Sequence, residues 1–588
     1  MSEKGAVKVS KQSFLHGALI LMVAIALVKV IGALFKIPLA WILTPVGNGY
    51  FGNAYALYFP IFSLATAGFP IAISRLVSEN SARGRYRDIR QIHTVSIKIF
   101  LILGIVSFSI MFFGAQPYVH YAASNNPENA LPAIYALAPA ILFNSLMAIY
   151  RGYYEGLRNM YPTAISEIVE ALSKLVFGLT AAAMVIQSGM SEYTAHGTVY
   201  GIKRASQEYA KIATLPYAAA GAIFGVTIGS VLGFLFLFIY HKRNSDGISD
   251  DMLQHSPRPL PMRVTTSRLI RTAIPIALGS LAVNLSTLID STFLQKRIND
   301  IMVDHSAVIL NIYGSVIPES VVKLNNVPTF LFGCFSNAST LFMLVPAITQ
   351  AFGVSALPNV TEAWTCGDPR KIKKSIESVL RIVAMITIPA GLGLSVLSTP
   401  IASLLYGANN APDVIGKILV LLGLGAIFAA MSTPINSMLQ AVGRVDLPVK
   451  LLVVGLIIKL VLNYTLVGIP EINVLGAGTG TLVCYLCITV FSLYFLCRET
   501  RIVPNFMVIF VKPLLASVIS VGAAYFTHKL GILVIHNGKV STLLAIAVAG
   551  ALYLICMLWF RALKKSDLLM LPKGQKIVKI LEKRNWIS

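Results

Sequence analysis

Apolar residues in this chain run on in blocks of roughly twenty to thirty, the length that crosses the ~30 Å hydrocarbon core of a bilayer as one helix. Fourteen blocks qualify: 14–43, 50–77, 92–114, 131–150, 162–187, 213–240, 269–294, 327–355, 378–405, 415–440, 448–468, 474–497, 505–529 and 540–561. The pattern predicts an all-α polytopic membrane protein. The first block follows Lys4, Lys8 and Lys11, is too long for a signal-peptide core and lacks a small-residue cleavage site, so it reads as a retained transmembrane helix. Two longer intervals, 188–212 and 298–325, are expected to hold short amphipathic helices. Beyond Lys564, Lys573, Lys576, Lys579 and Lys583 alternate with Ile577, Ile580 and Leu581. That pattern suits a basic helix on anionic membrane lipids and, equally, a solvated basic tail.

Composition agrees with the pattern. Of 588 residues, 56% are hydrophobic and 12% charged, against about 25% charged in soluble domains, which excludes a soluble multi-domain protein. The net charge of +23, from 48 basic and 25 acidic residues, would point to nucleic acid in a soluble chain. Its distribution points elsewhere. With the N-terminus inside, cytoplasmic segments hold roughly 33 basic residues, outer loops roughly 9 and the spans about 6. Both termini are therefore expected on the cytoplasmic side of the cell membrane, with no nucleic-acid partner. The six cysteines, none before Cys334, read as small core residues, and the nine histidines show no ligand spacing, so neither cofactor nor metal is expected.

The chain carries an internal repeat. AIYRGYYEGLRNMYP (148–162) and NSMLQAVGRVDLP (436–448) each run from a span end through a glycine and a basic residue to a proline that opens the next helix. Pro70 and Pro358 likewise precede the basic loops ending at Arg90 and Lys374. Six spans separate the members of each pair, which keeps their membrane orientation, so spans 1–6 and 7–12 read as parallel repeats around a central cavity. The implied division is 1–245 and 246–500 for two six-helix lobes, 501–562 for spans 13 and 14, and 563–588 for the tail.

Charge at mid-membrane costs about 2.5–3.5 kcal/mol on insertion scales and marks functional candidates. Lys29 and Lys36, seven apart, share a face of the first span. Glu167, Glu170 and Lys174 share a face of the fifth, where Glu170 and Lys174 have the favourable i, i+4 order and could equally be a self-neutralised pair that fixes packing. Lys459 stands nineteen residues after Gln440, as Lys174 stands nineteen after Glu155, which suggests two lysines facing one cavity. Asn337 is a weaker candidate for polar wall. A cavity of this sign attracts anions, and phosphate is the obvious anion in a membrane.

KVIGALFKIPL (29–39), GNGYFGNAYALY (47–58), GFPIAISRLVSE (68–79), RGYYEGLRNMYPTAISEIVE (151–170) and QAVGRVDLPVK (440–450) together resemble the multidrug, oligosaccharidyl-lipid and polysaccharide (MOP) exporter superfamily, and within it the MurJ and SpoVB type of flippase. The resemblance covers roughly residues 14–500. It implies fourteen helices, two lobes around a V-shaped cavity, and movement of an undecaprenyl-pyrophosphate-linked glycan such as lipid II to the outer leaflet, with cell-wall synthesis enzymes as partners. Lys29 matches the first basic residue with which such flippases hold pyrophosphate, and Lys36 lies one residue from the second. A family arginine on helix 8 has Asn337 near its place, which favours the SpoVB-like branch. Some members bind sodium between helices 7, 11 and 12; here Lys459 beside Asn463 puts a tethered cation there, and no sodium site is expected.

The leading expectation is thus a flippase for a lipid-linked anionic glycan, for peptidoglycan or surface polysaccharide synthesis. The alternative is a cation-coupled multidrug exporter of the same fold, which would want carboxylates where the first span carries lysines. A membrane enzyme would need paired carboxylates or metal ligands on a polar loop, and none stands out.

Overall fold

The computed structural model describes residues 14–122, 126–244, 246–365 and 367–560. Nearly all of it is helix, and thirteen segments are long and apolar enough to cross a membrane. All fourteen expected spans fall on these segments, because the first, Val23–Ala82, carries two. The reversal lies inside α1 (Phe14–Phe62), at Thr44, whose φ of 55° and ψ of 178° are not helical. Pro45 follows Thr44, and a residue before proline is disfavoured in helical backbone. Along a straight helix Lys36 and Phe51 would stand about 22 Å apart. Instead the Lys36 Nζ lies 4.2 Å from the centre of the Phe51 ring, and the rings of Phe35 and Phe51 are 6.2 Å apart. The two halves of α1 therefore run back along each other.

The chain forms two compact units, one of residues up to Asn299 with Glu319–Gly333, the other of Asp300–Pro318 with the chain from Cys334 onward. The first unit contains α1, α2 (Phe69–Ala82), α3 (Tyr86–Ala122), α4 (Leu131–Gly156), α5 (Tyr161–His196), α6 (Gln207–Arg243), the short α7 (Asp250–Gln254) and most of α8 (Met262–Asp304). The helices α5 and α6 pack at glycines: a Cβ added to Gly225 would fall on the backbone of Gly178. Apolar residues of α2, α3 and α4, among them Phe69, Ile73, Ile89, Phe100 and Tyr153, bury one another at one end of this unit.

Beyond α8 come α9 (Ser306–Tyr313), α10 (Glu319–Lys323), α11 (Val327–Phe342), α12 (Leu344–Thr365), α13 (Pro369–Val396), α14 (Ser398–Tyr406), α15 (Pro412–Ala441), α16 (Asp446–Val467), α17 (Leu475–Thr500), α18 (Lys512–Ile535) and α19 (Gly538–Trp559). The interval 298–325 thus holds the short helices expected of it. The interval 188–212 does not: α5 continues to His196, and a hairpin of two-residue strands pairs Thr198 with Lys203. Glu192 accounts for the difference, since its carboxylate accepts hydrogen bonds from Thr198 Oγ1 and from the backbone N–H groups of Tyr200 and Gly201, all at 2.9 Å. The basic tail after Phe560 and the lysines before Phe14 lie outside the described residues.

The repeat seen in the sequence returns as backbone geometry. After α4 the N–H of Asn159 bonds the carbonyl of Tyr154 and that of Arg158 bonds Glu155; after α15 the N–H of Arg444 bonds Leu439 and that of Gly443 bonds Gln440. These are the same helix-ending pair of bonds at an offset of 285 residues. Each needs left-handed backbone at its second-last residue, and the φ is 61° at Arg158 and 88° at Gly443. Gly84 and Gly367, after α2 and α12, have φ of 68° and 63°.

Candidate functional site

Seven residues is close to two helical turns, so Lys29 and Lys36 lie on one side of the first half of α1. Lys29 is exposed and Lys36 half-buried. The reversal at Thr44 brings the second half of α1 under the Lys36 ammonium, which stands 4.2 Å from the Phe51 ring centre and 5.7 Å from that of Tyr55. Lys174, half-buried on α5, sets its Nζ 5.3 Å from the Phe35 ring. The charge of Lys174 is felt by Lys36 and that of Lys29 by Lys174. Three of the four expected lysines thus converge within the first unit. An ammonium over an aromatic face gains roughly 0.5–2 kcal/mol, less than hydration or an anion supplies.

Glu170 takes a different partner from the one expected. It makes no ion pair with Lys174, though it lies within electrostatic reach of it; its Oε2 accepts from Arg151 Nη2 at 3.1 Å, while Arg151 Nε donates to Ser166 Oγ at 3.0 Å. The reason is the hairpin between α4 and α5. Positions 151 and 170 lie equally far from its turn and meet across it, and the planar fork of arginine reaches two acceptors at once. Among the described residues Lys36 and Lys174 make no ion pair. Glu155 and Glu167 also lie within electrostatic reach of Arg151, and Glu167 within reach of Lys29. Carboxylates therefore gather around Arg151, and Lys36 and Lys174, with no ion pair among the described residues, sit over the aromatic rings.

Arg151 escapes a search confined to apolar blocks, because it follows the fourth block by one residue. The signal that finds it is the hairpin sum: 151 and 170 flank the turn at 160 and 161 symmetrically. The aromatic floor extends further along α1, with Tyr55 4.9 Å from Phe51 and 5.1 Å from Phe59, and Tyr58 5.2 Å from Phe62. Asn144 of α4 donates to the Tyr58 hydroxyl at 2.9 Å and to Ser230 of α6 at 3.0 Å, which ties this floor to the unit's interior.

Lys459 and Asn337 belong to the second unit. Lys459 is only 2% exposed, in a stripe of Leu451, Gly455, Lys459, Asn463 and Val467 that recurs every four residues on α16. That stripe faces α17: a Cβ on Gly455 would meet Ile488 and Cys484, and one on Gly480 would meet the Asn463 amide. Lys459 is thus held in a helix seam, and the environments of Lys174 and Lys459 differ although their places in the repeat agree. Asn337 is 5% exposed, its backbone carbonyl accepts from the Tyr406 hydroxyl at 2.9 Å, and its Nδ2 has no hydrogen-bond partner among the described residues. Among those residues no group of three or more His, Cys, Asp or Glu side chains is arranged to hold a metal.

Parallel repeats, α1 reversed at Thr44 and cations inside the spans define a polytopic helical protein with the fold of MOP-superfamily transporters. Two solved structures share that fold: a lipid II flippase MurJ in an inward closed conformation, with a TM-score of 0.60 and 15% identity over 92% of this chain and 98% of that one, and an inward-facing multidrug resistance MATE transporter, with 0.59 and 14% over 82% and 99%. The chain belongs to the polysaccharide biosynthesis protein family, whose model matches residues 14–364. A second model, lipid II flippase MurJ, matches residues 332–574. Among curated relatives, the lipid II flippase MurJ of Bacillus subtilis (strain 168) is 24% identical over 92% of this chain and 94% of its own length. Stage V sporulation protein B of the same organism is 23% identical over 96% and 98%.

Proposed function

We propose that this chain is a flippase that carries a prenyl-pyrophosphate-linked glycan precursor, of the lipid II kind, from the inner to the outer leaflet of the cell membrane by alternating access. The observation that carries the reading is the pair of lysines, Lys36 and Lys174, held inside membrane spans over aromatic rings with no ion pair among the described residues. Unpaired cations at that depth are costly unless an anion or water meets them. In this reading Lys29, Lys36 and Lys174 hold the pyrophosphate, Glu170 with Arg151 fixes α5 against α4, and both termini are cytoplasmic. Lys459 and Asn337 are buried in the second unit. The names of the relatives support the reading, and outward movement of an anionic headgroup is helped by the membrane potential at about 2.3 kcal/mol per charge per 100 mV.

The test is translocation. With Lys29→Ala and Lys36→Ala combined, the protein should still insert, while labelled lipid-linked precursor should cease to appear on the outer leaflet of vesicles. Normal translocation by that variant overturns the proposal. The MATE-like fold supports a second reading, a cation-coupled multidrug exporter. It would prevail if Glu170→Gln alone stopped transport and cationic dyes were the cargo.

A further inference from the structure

A pyrophosphate held by lysines accounts for one part of a lipid-linked glycan and leaves the sugar unassigned. Tyr55 is placed to receive it. Its ring lies 5.7 Å from the Lys36 Nζ, on the i, i+4 row Phe51, Tyr55, Phe59, where Phe51 is buried and Tyr55 and Phe59 are only half-buried. Among the described residues the Tyr55 hydroxyl makes no hydrogen bond. Glu170 is within electrostatic reach of both Tyr55 and Tyr58, and of its two oxygens Oε2 is taken by Arg151, whereas Oε1 accepts no hydrogen bond among the described residues.

An aromatic face is electron-rich and attracts the weakly positive C–H edge of a saturated ring, while a carboxylate oxygen accepts strongly from hydroxyl groups. The two together recognise a pyranose. A phosphate oxygen accepting from Lys36 stands about 2.8 Å from its Nζ, and in a lipid-linked glycan the first sugar is bonded directly to the outer phosphate. We propose that Tyr55, with Glu170 Oε1, forms a subsite for that first sugar, so that the site prefers a glycosylated prenyl pyrophosphate to the bare lipid. The subsite rests on the flippase reading given above.

The experiment measures binding of two probes to the purified full-length protein in detergent: undecaprenyl pyrophosphate, and the same lipid bearing one N-acetylhexosamine. The unchanged protein should bind the glycosylated lipid at least tenfold more tightly. Tyr55→Leu keeps apolar volume and should erase the preference while leaving the bare lipid's affinity within about twofold; Tyr55→Phe should keep most of the preference; Lys36→Met should weaken both lipids together. Thermal melting and circular dichroism of each variant secure its folding, and should Tyr55→Leu fail to fold, Phe59→Leu replaces it and should reduce the preference severalfold. Equal binding of both lipids by the unchanged protein, or a full preference surviving in Tyr55→Leu, overturns the subsite and leaves the pyrophosphate reading standing. Binding of neither lipid overturns both.

Discussion

Replacing Lys36 by methionine separates a lysine kept for function from one kept for packing, because the two roles move stability in opposite directions. A lysine deep in a span costs about 2.5–3.5 kcal/mol on insertion scales. Its ammonium recovers about 1–2 kcal/mol from Phe51 at 4.2 Å and Tyr55 at 5.7 Å. Methionine fills nearly the same volume, carries no charge and makes favourable sulfur–aromatic contacts of about 0.3–1.5 kcal/mol. Lys36→Met should therefore stabilise the first unit by about 1–2 kcal/mol. For some three hundred residues at about 2.1 cal/mol/K each, that is a rise in melting temperature of roughly 2 °C. Binding should move the other way, since a charge-assisted hydrogen bond to phosphate is worth about 1.5–3 kcal/mol and its loss weakens affinity roughly ten- to a hundredfold. Melting in nanodiscs and titration with undecaprenyl pyrophosphate read the two quantities on one preparation. A variant that melts lower and binds normally would refute the reasoning and make Lys36 a packing residue.

Two further outcomes follow from the first unit's interior. A double-mutant cycle of Arg151→Met and Glu170→Gln should show a coupling of about 1 kcal/mol in melting experiments: a charged hydrogen bond is worth about 1.5–3 kcal/mol, discounted because both side chains keep a fifth to a third of their surface exposed. Additive single-mutant effects would mean that the pair contributes nothing. Gly225→Leu should cost about 3 kcal/mol or more, since its Cβ would fall on the Gly178 backbone, and the yield of folded protein should collapse. Gly114→Leu, where nothing lies within 4 Å of the added Cβ, is the control and should express normally; equal yields would show that the α5–α6 seam tolerates parting.

The spans were legible because a bilayer imposes a length on every crossing helix, and all fourteen apolar blocks fall on helical segments suited to crossing a membrane. The site was only half legible. Lys29, Lys36 and Lys174 announce themselves as charges in apolar runs. Which of them are paired depends on where α1 turns and on how α4 faces α5, and hydropathy records neither. Thr44 before Pro45 is a local signal for the turn, yet nothing local says that the turn brings Lys36 over Phe51. The i, i+4 spacing of Glu170 and Lys174 is real, and the interhelical contact with Arg151 overrides it because a guanidinium supplies two directed donors where an ammonium across one turn supplies none as well aimed. The interval 188–212 reads from the sequence as a longer outer loop with short amphipathic helices. One carboxylate, Glu192, instead collects three donors and stabilises a hairpin, an arrangement that depends on a left-handed Gly201 with φ of 75°.

The two repeats close a matching turn with the same hydrogen bonds and differ in the side chains beside it. Both interhelical turns close with the same pair of hydrogen bonds 285 residues apart, and the positions that correspond to 151 and 170 by that offset are 436 and 455. In the first repeat those positions are Arg151 and Glu170, an ion pair. In the second they are Asn436, whose Oδ1 accepts from Ser492 of α17 at 2.9 Å, and Gly455, which lets α17 approach closely. A glycine at 455 removes the side chain that would hold α17 away, and the lysine one turn further, Lys459, is buried in the seam that results. A glutamate at 170 instead fixes α5 against Arg151, and the lysine one turn further, Lys174, stays half-buried over Phe35. The corresponding lysines thus sit in different surroundings, Lys174 half-buried over an aromatic ring and Lys459 buried in a helix seam, and on the proposed function it is the first unit that should carry the phosphate.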